Sequence, residues 1–113
     1  MTAAQWDAAL AAGRFLLARG ADGALHFPPR AHEGDHGWAE ASGRGTVYSL
    51  TWIHPRPPAA PYAVALVDLA EGPRVMAALE GLAADADGIG LAVRARIDKQ
   101  ACPPRLVFRP EPG

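Results

Sequence analysis

The chain has 113 residues, 11 basic and 12 acidic side chains, 50% hydrophobic residues and a single cysteine, Cys102. A chain of this length buries about 65% of its unfolded surface, which is enough for one small domain with one core. The balanced charge excludes a broad electrostatic nucleic-acid binder, and the lone cysteine excludes an internal disulfide, so a reducing, cytoplasmic location is expected.

The N-terminal stretch has no basic residue before Arg14, and its longest apolar run, FLLA, is far shorter than a signal core or a membrane span, so a soluble chain is expected. Thr2 followed by Gln5 is a capping-box pattern, Trp6 and Leu10 share a helical face, and Gly13 is placed to stop the element; residues 3–12 are predicted to be helical. RFLLA reads as extended. Residues 20–37 are punctuated by glycine and proline without an apolar period and read as irregular.

Within that region HEGDH, residues 32–36, matches the zinc-protease pattern of two histidines and a glutamate. That chemistry needs both histidines on one face of a long helix. The proline pair before the motif, Gly34 inside it and Gly37 after it oppose such a helix. The stretch reads as a polar surface loop, with adventitious metal binding by His32, Glu33 and His36 left open; neither a metal centre nor a cofactor is expected.

Beyond Gly37 the pattern is that of strands. TVYSLTWIH, residues 46–54, alternates Val47, Ser49, Thr51 and Ile53 on one side with Tyr48, Leu50, Trp52 and His54 on the other. Residues 62–70 and 74–80 read as a hairpin through EGPR, and residues 91–98 as a strand with one apolar and one charged face. Residues 105–109 close the set. A mainly β protein follows: a five-stranded barrel, with an OB-fold leading, preceded by a short helix.

The blocks WAEASGRGTVYSLTWIHPRPP, PYAVALVDLAEGPRVMAAL, IGLAV and LVFRP resemble the zinc-ribbon and OB-fold family first catalogued as domain of unknown function 35. The resemblance implies residues 1–37 as a helix plus ribbon segment and residues 38–113 as the barrel. In that family two cysteine pairs flank FPPR. Here Gly20 stands at one such place, and Glu33 and His36 at others, so the ribbon reads as degenerate and zinc-free, a rubredoxin-like knuckle without its thiolates.

The resemblance also implies association with thiolase-like or other acyl-CoA-processing proteins in lipid metabolism, with acyl-CoA as a further ligand. Candidate ligand or partner residues are Arg30, Arg44, Trp52, Tyr62 and Arg74. Arg44, between glycines, is suited to a phosphate; Trp52 and Tyr48, on one side of their strand, to an adenine; Arg74, Arg94 and Arg96 to an anionic face. No nucleophile, base and orienting group assemble from the sequence, so no catalytic residue is assigned and a non-catalytic accessory subunit is expected. The alternative is an OB-fold binding single-stranded nucleic acid, disfavoured by the charge balance.

Overall fold

The computed structural model describes residues 3–19, 25–26, 37–101 and 103–111. Arg30, the HEGDH motif and Cys102 lie outside the described residues, as does most of the segment read as a ribbon remnant.

Helix α1 spans Ala3–Ala11. It stops where the glycine requires: the Gly13 N–H donates to the Leu10 carbonyl at 2.9 Å and the Arg14 N–H to the Ala9 carbonyl at 2.8 Å, with Gly13 at φ 83°. This bonding satisfies carbonyls at the helix end, and glycine enters the left-handed region without a Cβ penalty. Leu10 is buried, and the Trp6 indole donates to the Leu16 carbonyl at 3.1 Å, which folds the helix onto the strand that follows.

That strand, β1 (Leu16–Arg19), lies between β2 (Leu25–His26) and β3 (Trp38–Glu40) in a small antiparallel sheet. Phe15 and Leu17, at and beside its start, are buried in the same cluster as the barrel interior. The N-terminal sheet therefore shares the barrel's core.

The barrel is built from β4 (Arg44–Ile53), β5 (Tyr62–Leu69), β6 (Arg74–Leu79), β7 (Ala92–Asp98) and β8 (Arg105–Pro110). It closes in the order β4-β5-β6-β8-β7. All neighbours are antiparallel except β6 and β8, which pair in parallel through Ala78 with Val107 and Leu79 with Phe108. A closed five-stranded barrel with this order is an OB-fold. The expected β5–β6 hairpin forms, from Ala63 opposite Leu79 to Asp68 opposite Arg74. Inward-facing Val47, Val67, Val75, Val93 and Phe108 are almost fully buried and form the centre of the core.

One position in β4 accepts only glycine without rearrangement. A Cβ on Gly45 would stand 2.5 Å from Val67 Cγ1 and 2.8 Å from the Asp68 carbonyl oxygen. The absent side chain lets β4 and β5 approach where the barrel closes against β7, opposite Val93.

The strict alternation expected along β4 does not hold. Val47 pairs with Val67 while Ser49 pairs with Leu66, so Tyr48 is an extra residue in a β-bulge. A bulge exchanges the two faces of a strand beyond it. Val47 faces inward before it, and Leu50 and Trp52 pack against the core after it. Tyr48 and Trp52 thus lie on opposite sides, which removes the shared stacking surface expected of them. Trp52 is half-buried, and its indole donates to the Ala86 carbonyl at 2.9 Å. The β6–β7 connection also bonds β4 at the bulge, through Val47 N–H to the Leu91 carbonyl and Gly90 N–H to the Val47 carbonyl.

Candidate functional site

Two outer faces of the barrel carry chemistry. The first covers β4, β5 and β6. On β5 the alternation turns Ala63, Ala65, Val67 and Leu69 inward and leaves Tyr62, Val64 and Leu66 outside. Cross-strand register then sets Ile53 opposite Tyr62 and Leu66 opposite Met76. Met76 is 68% exposed and Tyr62 49%, so the apolar patch is open to solvent. Such clustering is different from scattered surface hydrophobes, because contiguous apolar area marks interaction surfaces.

One end of this face is closed by charge. Arg74 Nε donates to Asp68 Oδ1 at 2.6 Å, and its guanidinium carbon lies 3.5 Å from the centroid of the Tyr48 ring. The Asp68 hydrogen bond holds the Arg74 pKa above its ordinary value, so its charge is both permanent and paired.

The second face covers β4, β7 and β8 and is cationic. Arg44 is directly opposite Arg94, and Arg94 is directly opposite Arg109, which makes one row of three arginines across three adjacent strands. Neighbouring Gly45, Val93 and Phe108 turn toward or into the barrel, so the arginines project outward. Arg96 stands two residues along β7 on the same side.

Among the described residues, two carboxylates serve this row. Glu111 approaches Arg44 at 3.8 Å. Glu80 accepts a 2.8 Å bond from Arg96 Nε and lies 3.6 Å from Arg109. The Arg96 hydrogen bond, aided by the charges of Arg96 and Arg109 and opposed by partial burial, holds the Glu80 carboxyl below the ordinary glutamate value. Arg94 has no ion-pair partner among the described residues. With Ala95, Arg96, Arg109 and Pro110 it lines a shallow depression of about 400 Å³.

These faces redistribute the residues singled out in the sequence. Arg44 joins the cationic row; Tyr62 and Arg74 belong to the apolar face; Trp52 packs against the core; Arg30 lies outside the described residues. Arg74 does not join Arg94 and Arg96, because β8 separates β6 from β7 in the barrel. Arg109, and the row it completes, could not be read from single strands; pairing β7 with both β4 and β8, as barrel closure demands, would have revealed it.

Comparison with known proteins places these faces in context. The sequence profile of the "ChsH2, C-terminal OB-fold domain" family matches residues 38–98, more than half of the chain. The chain is 41% identical over 97 residues to a "Probable enoyl-CoA hydratase alpha subunit" of Thermomonospora curvata, an alignment covering 76% of this chain and 30% of that protein. It is 36% identical over 102 residues to the "3-oxo-4,17-pregnadiene-20-carboxyl-CoA hydratase alpha subunit" of Mycobacterium tuberculosis, covering 83% and 32% respectively. Among solved structures, a chain of the "Ltp2-ChsH2(DUF35) aldolase" superposes with a TM-score of 0.76 at 38% identity, over 95% of this chain and 92% of that one. The present chain spans about a third of the length of the two curated relatives.

These names correct the expectation that the chain stands outside catalysis. The relatives are named as hydratase subunits and as an aldolase. The chain by itself shows no self-contained set of nucleophile, base and orienting group among the described residues. A subunit of a composite enzyme need not carry one.

Proposed function

The chain belongs to the ChsH2 C-terminal OB-fold domain family, and on that premise we propose that it is one component of an acyl-CoA-processing enzyme assembly, docking a thiolase-like or other acyl-CoA-processing partner. The observation that carries this reading is the uncovered apolar face around Tyr62, Leu66 and Met76. Protein interfaces are built on such area, enriched in aromatic residues, methionine and arginine. Relatives named as subunits, and an aldolase named for two proteins together, supply the class of occupant.

The same face is where OB-folds bind single-stranded nucleic acid. A nucleic-acid platform needs unpaired cations beside its aromatic rings. Here the neighbouring cation, Arg74, is held by Asp68, which favours a protein partner.

The test is purification of the native protein from its own cells beside Met76→Asp and Tyr62→Ala. The reading requires an acyl-CoA-metabolising enzyme in stoichiometric amount with wild type. The loss of one interface anchor weakens association by about tenfold or more. Retention of the same enzyme by both folded variants, or a stoichiometric partner unrelated to acyl-CoA chemistry, overturns it.

A further inference from the structure

The arginine row is independent of the apolar face and calls for its own account. Like charges placed directly opposite on neighbouring strands are destabilising. This barrel does so twice in succession, at Arg44–Arg94 and at Arg94–Arg109. Among the described residues, four guanidinium groups, counting Arg96, share the two carboxylates of Glu80 and Glu111, so two positive charges remain over. The surplus is centred on Arg94, which makes no ion pair among the described residues and lines the depression between Arg96 and Arg109.

Elsewhere on the barrel, outward arginines are matched one to one. Arg74 has Asp68, and Arg105 has Asp98 at 3.4 Å. The departure from that pattern is confined to one place, and that place is concave. Gly81 contributes no side chain to the depression's wall, and Pro110 supplies a rigid, uncharged edge.

We propose that Arg94 and Arg109, flanked by Arg44 and Arg96, form a binding site for the phosphate groups of a small phosphorylated molecule, a diphosphate or a pair of phosphate esters. Two surplus positive charges match a doubly charged phosphate group, and the planar fork of arginine presents paired donors to its oxygens. Glu80 is the internal competitor. Its carboxylate occupies Arg96 and partly Arg109, so a bound phosphate draws these guanidinium groups from Glu80 toward the depression.

Isothermal titration of the full chain at low ionic strength, with inorganic pyrophosphate and adenosine 3′,5′-bisphosphate as separate probes, tests the site. Saturable 1:1 binding of at least one probe is expected; binding of the nucleotide alone identifies a nucleotide-type carrier, and binding of both a simple phosphate cradle. Arg94→Ala weakens it by about tenfold or more, since a charged hydrogen-bond pair is lost. Arg94→Lys, which keeps the charge without the fork, restores part of the affinity and serves as the second variant if the alanine form fails to fold. Glu80→Gln tightens binding by releasing Arg96 and Arg109, while Arg56→Ala, in the exposed β4–β5 loop, leaves it unchanged. No saturable binding of either probe, equal affinity in folded Arg94→Ala, or tighter binding of a single-stranded oligonucleotide than of both probes overturns the proposal. None of these outcomes depends on the apolar face, so failure here leaves the docking role standing.

Discussion

The Trp52 indole N–H donates to the Ala86 carbonyl at 2.9 Å and so ties the end of β4 to the connection between β6 and β7. The same connection bonds Val47 at the bulge, so β4 is held at two points by one loop. Gly88, buried in that loop, packs so closely that a Cβ there would stand 3.0 Å from Leu82 Cδ1 and 3.4 Å from Leu50 Cδ2. The loop is part of the barrel's packing.

Trp52→Phe is therefore expected to keep most of the packing and lose the hydrogen bond, at about 1 kcal/mol. Trp52→Ala loses contact with the core as well and costs more, up to about 3 kcal/mol for a half-buried aromatic. Chemical denaturation measures both. Amide exchange at Gly90 and Leu91 should speed up in each variant, and unchanged exchange there would refute the coupling.

Gly45→Ala is expected to destabilise the barrel by about 1–3 kcal/mol, the usual range for overpacking a closed interior. The added methyl meets Val67 Cγ1 and the Asp68 carbonyl, and the backbone oxygen cannot rotate away. Gly72→Ala is a useful contrast, since open space surrounds that position and only its φ of 116° resists the change. Thermal melting of the two variants separates steric from conformational cost.

Deletion of Tyr48 is expected to give a folded protein. Without it, Val47 opposite Val67 runs directly into Ser49 opposite Leu66, and Leu50 and Trp52 keep their inward direction. What disappears is the bend of the strand and the ring against Arg74. Near-ultraviolet circular dichroism should retain the tryptophan signal; a collapsed spectrum would mean that the bulge is needed for closure.

Glu80 supplies a pH dependence. Its folded-state carboxyl lies below the ordinary value because Arg96 donates to its charged form. A depressed carboxylate contributes stability above its unfolded pKa and loses it as pH falls through the folded one. Arg96→Ala should move the Glu80 titration upward and flatten the acid-side loss of stability. Carboxyl-carbon NMR titration of the two proteins is the check, and an unchanged Glu80 midpoint would exclude Arg96 as the cause.

The sequence alone determined α1, β1, the five barrel strands and the family; β2, inside the stretch read as irregular, and β3 carried no strand signal. Alternation marked residues 46–54 and 91–98, because a half-buried strand presents apolar side chains with a period of two, and turn signals such as EGPR bounded the other three barrel strands. Gly13 marked the end of α1 because only a residue free of Cβ strain closes a helix that way. Motif blocks around SGRG and EGPR carried the family, since turns and close approaches restrict residue choice locally.

What only the tertiary structure decided are relations between strands. The bulge at Tyr48 inserts one residue without any break in the alternating pattern, so the exchange of faces beyond it becomes visible only against Leu66 and Val67. The row Arg44–Arg94–Arg109 depends on two registers, β4 with β7 and β7 with β8, and register is set by closure of the whole barrel. Arg74 and Arg94 look alike in the chain, yet Asp68 neutralises one and, among the described residues, no acid pairs with the other. Charge on a strand is a local property of the sequence; what it faces is a property of the fold.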